Sequence, residues 1–313
     1  MRILVVGAAG QVGGKVAAQA AGRGDEVWGT YRSRPPAIPG VEPAILDKTD
    51  RAAVAALVSQ IRPDAVVDTG ALHNVDYCET HPDEAFRVNR DGSRHLAEAS
   101  RDVGARFAFV STDFVFDGAG SPPYAESDAP HPLSVYGESK LAGERAVLDA
   151  YPDAVVARPS VVFSWVPPGA TGPSTSGKPL NFASWLVHEA RLGHPLRIVQ
   201  DQVASPTLAD DLATALLDLL PSAATGTFHA AGATPISRFD FAERLLAVAH
   251  LPRGTLTPIA TSDLRQVAKR PLNSSLRSDR IAREAGHRML DLEGAIERFG
   301  RAMAATPGPP APG

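Results

Sequence analysis

Two periodicities alternate along the apolar positions of this chain. Short apolar runs at 3–6, 26–30, 44–46, 65–68, 106–110 and 154–157 predict buried strands. Apolar residues three and four apart over 51–61, 83–103 and 134–150 predict helices between most of them. The first run ends in glycines and is followed by Val12, Val16 and Ala20 at spacings of four, the pattern of strand, tight turn and helix that opens a βαβ unit. Strands alternating with helices predict an α/β fold: a Rossmann-type, doubly wound parallel sheet covered on both faces. The alternation stops near residue 164. Residues 166–179 make a Pro/Gly-rich loop of the length used for lids and binding loops. Helical patterns at 181–192, 208–220, 239–249 and 292–303, with strands at 196–199 and 226–230, then predict a smaller α+β substrate domain. The expected division is a nucleotide-binding domain over 1–165 and a substrate-binding region over 166–305, with segments near 196–220 returning to the first domain. The tail, 306–313, offers nothing to pack and is expected to be disordered.

Composition removes several classes of function. With 44% hydrophobic residues and a net charge of only −4, the chain is neither a disordered polymer nor a basic surface for nucleic acid. No apolar run approaches the roughly 20 residues that cross a bilayer. The opening run is also shorter than a signal-peptide core of about 7–15 residues. The single Cys78 has no partner for an internal disulfide, so a cytoplasmic protein is expected. Histidines are scattered without a His-x-x-x-His pair, and no metal site is predicted.

The chemistry begins at Gly7-Ala-Ala-Gly10-Gln-Val-Gly13, where glycines let the backbone turn sharply and approach a diphosphate at a helix N-terminus. The second predicted strand runs into Arg32 and Arg34, with no acid to grip a ribose or repel a 2′-phosphate, so NADPH is favoured over NADH. Asp47 after the third strand is either an acceptor for the adenine amino group or the cap of the helix that starts near Arg51. Lysine is scarce, 5 against 26 arginines, yet Tyr136-Gly-Glu-Ser-Lys140 sets an ammonium one helical turn from a phenol. An ammonium there lowers a phenol's pKa toward the range useful for proton transfer. At the carboxyl end of the fifth strand, where open α/β sheets bind ligands, the Thr112 hydroxyl is positioned to polarise a substrate carbonyl.

These segments, together with Ser111-Thr-Asp-Phe-Val-Phe-Asp-Gly118, Asp201-Gln-Val-Ala-Ser-Pro-Thr207 and Arg270-Pro-Leu-Asn-Ser-Ser-Leu276, resemble the extended short-chain dehydrogenase/reductases, specifically the dTDP-4-dehydrorhamnose reductase branch. The resemblance spans about residues 2–290. It implies a reductase of a nucleotide-activated 4-keto-6-deoxy sugar, with Tyr136 as proton donor, Lys140 on the nicotinamide ribose and Thr112 on the reacting oxygen. It also implies that Gln11 and Val12 meet the pyrophosphate through backbone N–H groups, that Ala71 and Leu72 line the cofactor, and that the protein pairs as a homodimer. On the substrate side this chain departs from the branch: Phe114 stands where Tyr is usual, Val161 where Trp is frequent, and His73 where a small hydroxyl residue is common. Asn181 begins the substrate-side helix as in the branch. Among Arg197, Arg265, Lys269 and Arg270, the last is expected to meet the substrate diphosphate. Two other readings keep the same fold. One is a non-catalytic NADP-binding regulatory subunit resembling the partner of methionine adenosyltransferase; the other is a sugar epimerase, decarboxylase or specialised ketoreductase of the same superfamily.

Overall fold

The computed structural model describes residues 1–120, 122–167 and 181–306. Most of the loop at 166–179 and of the tail at 306–313 therefore lies outside the described residues. The first half is β1 (Arg2–Val6), α1 (Gln11–Gly22), β2 (Glu26–Tyr31), β3 (Val41–Ile45), α2 (Arg51–Ile61), β4 (Ala65–Asp68), α3 (Val75–Thr80), α4 (Pro82–Phe86), α5 (Gly92–Asp102), β5 (Arg106–Val110), α6 (Val135–Ala150) and β6 (Val155–Arg158). The second half is β7 (Val162–Phe163), α7 (Phe182–Arg191), β8 (Leu196–Val199), β9 (Val203–Ala204), β10 (Thr207–Leu208), α8 (Ala209–Leu219), β11 (Gly226–His229), β12 (Ile236–Ser237), α9 (Arg238–Val248), β13 (Leu256–Ile259), α10 (Asp279–Glu284) and α11 (Leu292–Ala305).

Seven strands form one parallel sheet in the order β11-β6-β5-β4-β1-β2-β3, the doubly wound arrangement expected from the alternation. Strand order reverses at β1, so the crevice at the carboxyl ends of β1 and β4 is the natural ligand position. One apolar core joins the sheet to α1 and α8 on one face; a second joins it to α2, α5 and α6 on the other. A third core, built around Phe163, Trp165, Phe241 and Phe299, gathers α7, α9 and α11. Within 196–220, α8 lies on the large sheet, whereas β8 pairs with β13 in a separate two-stranded sheet. No helix of the described residues is long and apolar enough to cross a membrane.

Several elements differ from the periodicity. The helix expected over 83–103 is divided into α4, a π-helical turn at Arg87–Asp91 and α5. That extra backbone residue turns Asn89 inward, where its amide donates to Leu72 O at 3.0 Å and its Oδ1 accepts from Leu72 N at 2.9 Å. The third strand starts at Val41 rather than 44 and contains Pro43, tolerated because β3 is the sheet edge and needs no N–H there. The short α3 and strand β13 carry too few apolar repeats to be read from sequence.

Helix α6 has the tightest seat. Ser134 caps it by accepting from Gly137 N at 3.2 Å, and Glu79 of α3 accepts from Val135 N at 2.8 Å. At Gly143 the helix backbone passes so close to the π-helical turn that a Cβ would overlap Asn89 O and press on the Phe109 ring. Gly143→Ala is expected to cost about 1–3 kcal/mol by forcing that pair apart, seen as a lower urea midpoint. Because α6 also carries Tyr136 and Lys140, turnover should fall with it.

Candidate active site

Two strand ends, one helix and a segment around Ser274 meet at the site. β5 ends into Ser111 and Thr112, and Thr112 opens the short 3₁₀ turn Asp113–Val115, its Oγ1 accepting from Phe114 N at 3.2 Å. The buried Asp113 carboxylate accepts from Thr112 Oγ1 at 3.1 Å, Ser160 Oγ at 2.7 Å and Ser274 Oγ at 2.6 Å. Burial nevertheless raises its pKa, the three hydroxyls only partly offsetting the loss of water. One buried group thus fixes the end of β5, the turn after β6 and the carboxyl-terminal segment.

Tyr136 stands in the first turn of α6, its ring edge-on to Phe114 at 5.9 Å between centroids. Burial drives the phenol's pKa upward, a hydrogen bond with Thr112 works against that rise, and the nearby Asp113 charge adds to it. The lowered phenol pKa expected from the Tyr136 and Lys140 spacing is therefore not found: burial prevails, and the ammonium is spent on Val110 O. Lys140 lies one turn on, 1% exposed, with Nζ donating to Val110 O at 2.6 Å and sitting 4.0 Å from the Phe109 ring centroid. Burial, aided by the neighbouring Lys48 charge, pulls its pKa down to about 7. The structure thus brings Thr112 and Tyr136 together, while the Lys140 ammonium points beneath them to the end of β5.

Beneath the site lie two buried ion pairs that sequence inspection did not single out. Lys48 Nζ donates to Asp68 Oδ2 at 2.7 Å, to Ser93 Oγ at 3.0 Å and to Gly70 O, holding the loop after β4. Arg158 clamps Glu144 of α6 through two nitrogens at 2.6 and 2.8 Å, and Ser111 donates to the same carboxylate. Asn89 closes the circuit by donating to Ser139 Oγ at 3.0 Å, and Ser139 donates to Tyr136 O at 2.8 Å. These contacts join residues distant in sequence, and no local motif marks them.

The glycine turn has the shape of a dinucleotide cradle. Gly7 has φ +82°, Gly10 N donates to Gly7 O at 2.9 Å, and a Cβ on Gly13 would overlap Gly7 O and come within 2.6 Å of Thr69 Oγ1. Val12 packs on the core, and Gln11 Nε2 is buried with no hydrogen-bond partner among the described residues, a donor left over for a ligand. Ala71 and Leu72 form the loop across the crevice, held by Asn89. Arg32 is exposed after β2 and, with Arg87, helps hold the Asp47 carboxyl below its ordinary range, against burial and alongside hydrogen bonds from Thr49. Asp47 does not cap the following helix: Asp50 does, accepting from Ala52 N and Ala53 N. An NADP molecule fits these residues: an uncommitted buried amide stands in the first turn of α1, and the exposed Arg32 guanidinium follows β2.

On the substrate side, Phe114, Val161, Gln202, Arg238, Arg270 and Ser274 line a cleft. Val161 is held at φ +40°, a strained conformation for a β-branched residue. Asn181 is a structural cap of α7, accepting from Ser184 N at 3.2 Å and donating to Ser164 O at 2.9 Å. His73 is exposed, with Nδ1 3.5 Å from Ala71 O. Arg197, Arg265 and Lys269 are exposed, whereas Arg270 donates to Asp76 Oδ2 at 2.8 Å and to Ala268 O at 2.7 Å. Arg238, absent from the sequence-derived candidates, lines the cleft from the first turn of α9.

A doubly wound sheet with a glycine turn at its switch point and a Thr, Tyr and Lys set at the end of β5 and the start of α6 defines an extended short-chain dehydrogenase/reductase. The chain belongs to the RmlD substrate binding domain family, whose model matches residues 1–304. It is 35% identical over 263 residues to a dTDP-4-dehydrorhamnose reductase of Sinorhizobium fredii, covering 81% of this chain and 85% of that protein. It is 32% identical to a dTDP-4-keto-6-deoxy-D-glucose reductase of Streptomyces niveus, covering 91% of each. The crystal structure of a Bacillus anthracis dTDP-4-dehydrorhamnose reductase in complex with NADP superposes with a TM-score of 0.81 at 28% identity, covering 96% of this chain and 99% of that one.

The depressed Lys140 pKa has a signed consequence. A lysine whose pKa falls from 10.5 unfolded to about 7 folded carries a cost that is present below about 7 and disappears as pH rises toward 10.5. Lys140→Met should therefore melt at a higher temperature than the wild type near pH 7, and the gap should close toward pH 10.5. A gap independent of pH would contradict burial of a charged Lys140.

Proposed function

We propose that this protein reduces the C4 ketone of a nucleotide-activated 4-keto-6-deoxy sugar, using NADPH, as a cytoplasmic enzyme. The observation that carries the reading is the placement of Tyr136 and Lys140 one turn apart on α6, beside Thr112 at the carboxyl edge of the sheet. The names of the relatives support the substrate class. Bound NADPH supplies the hydride. The Gly7, Gly10 and Gly13 turn would hold its diphosphate with the Gln11 and Val12 N–H groups, Arg32 its 2′-phosphate and Asp47 its adenine; Ala71 and Leu72 would line it.

Thr112 Oγ1 turns its proton from Asp113 to the ketone oxygen, the Asp113 carboxylate still being met by Ser160 and Ser274. Tyr136 gives its phenolic proton to the developing alkoxide. Lys140 contributes an ammonium that favours the phenolate left behind and holds the nicotinamide ribose; the 2.6 Å bond to Val110 O fixes where that charge sits. Phe114, Val161 and the aliphatic stem of Arg270 shape the sugar side, His73 stands at the rim, and Asn181 positions the helix that borders it.

Tyr136→Phe leaves the helix cap and the cofactor cradle intact and removes only the proton. The expected result is a loss of about 10²–10⁴-fold in keto-sugar-dependent NADPH oxidation, with NADPH affinity, followed by nucleotide fluorescence, unchanged. Turnover that persists at the wild-type rate would show that Tyr136 is not the acid.

A further inference from the structure

Of the two guanidinium groups facing the substrate cleft, only one is committed. Arg270 spends its donors on Asp76 and on Ala268 O. Arg238 donates its backbone N–H to Gln202 O at 2.8 Å, and its side chain makes no hydrogen bond or close ion pair among the described residues. The guanidinium lies over the Phe182 ring, 4.9 Å from the centroid. Such stacking fixes the plane of the group and leaves its five in-plane donors open. The carboxylate whose charge reaches it, Asp113, is already occupied by the hydroxyls of Thr112, Ser160 and Ser274.

A guanidinium that is partly buried, unpaired and beside a second cation is costly to keep. Burial lowers its pKa, the Asp113 charge pulls it back, and Arg270 lowers it further. Arginine nonetheless stays protonated in proteins, so the charge must be met by a ligand or left unmet. The cleft that Arg238 lines also contains Phe114, whose ring meets Tyr136 edge-on. A molecule with its ketone at Tyr136 and Thr112 would therefore extend past Phe114 toward the Arg238 fork.

We propose that Arg238, held flat by Phe182, is the anion anchor of the substrate site, taking phosphate or carboxylate oxygens of the ketone-bearing molecule and selecting substrates that carry them. The inference rests on the reading of this cleft as the substrate side of a reductase. It adds a specificity determinant that neither the glycine turn nor the Tyr and Lys pair provides. A planar fork pairs with two oxygens of one anion at once, which a lysine would not do. The anion comes either from the diphosphate of the activating nucleotide or from a carboxylate at C6, the second outcome replacing the 6-deoxy ring of the proposed substrate with a uronate.

Titration calorimetry of the NADPH-loaded full chain with dTDP, dTDP-glucose and dTDP-glucuronate tests this without requiring turnover. Arg238→Gln and Arg238→Met should each weaken binding about 10–100-fold while leaving NADPH affinity unchanged. Loss against all three probes identifies the diphosphate as the anion; loss against dTDP-glucuronate alone identifies a ring carboxylate. Wild-type affinities for all three, in whichever variant retains NADPH binding, overturn the proposal, as does failure of the wild type to bind any of them. A wild type that binds these probes but never oxidises NADPH with a keto-sugar would instead refute the reductase reading and leave the anion site standing.

Discussion

The site depends on a carboxylate with nowhere else to go. Asp113 is 2% exposed, and its oxygens are met by hydroxyls from three separate parts of the chain: Thr112 after β5, Ser160 after β6 and Ser274 near the carboxyl terminus. Because an unmatched buried carboxylate is so unfavourable, these three segments are obliged to converge. Ser160 passes the constraint on: its hydroxyl accepts from Ser205 N at 3.2 Å, and its carbonyl accepts from Thr207 Oγ1 at 2.7 Å. The nucleotide platform and the substrate side are thereby fixed to one another at the position where Thr112 must present its hydroxyl.

Charge burial recurs on either side of that point. Lys48 with Asp68 sets the loop after β4, and Arg158 with Glu144 sets the middle of α6. Buried pairs of this kind gain little stability over well-packed apolar residues, but they fix one geometry. Here the geometry they fix is the relation of the loop at 69–72 to the helix bearing Tyr136 and Lys140. Asn89 completes it by bonding to both sides. Lys140 shows the converse case: a buried lysine with Lys48 nearby, where the charges of Asp68 and Glu144 only partly offset the cost of burial.

Much of the platform was legible in the sequence because it follows local rules. Strands 65–68 and 106–110 and helix 51–61 are found at the bounds their apolar patterns predict. The Gly7 to Gly13 turn and the Tyr136 and Lys140 pair are equally visible, since each needs particular residue types at fixed spacing. The π-helical turn was not, because its cause is the tertiary bond from Asn89 to Leu72 rather than any break in periodicity. Asp50 caps α2, so of the two roles the sequence offered for Asp47 the capping one falls away. Arg238 was hidden among 26 arginines; what distinguishes it is its place in the cleft, stacked on Phe182 with no side-chain hydrogen bond or close ion pair among the described residues.

The proposed chemistry is a net reduction completed at the Thr112 and Tyr136 site. The most direct measurement uses NADPH deuterated at C4 together with a dTDP-4-keto-6-deoxy sugar, with the product followed by mass spectrometry. The sugar should gain a deuterium at C4, with NADPH consumed in equal amount. A rearranged sugar without deuterium, with NADPH returned unchanged, would contradict it.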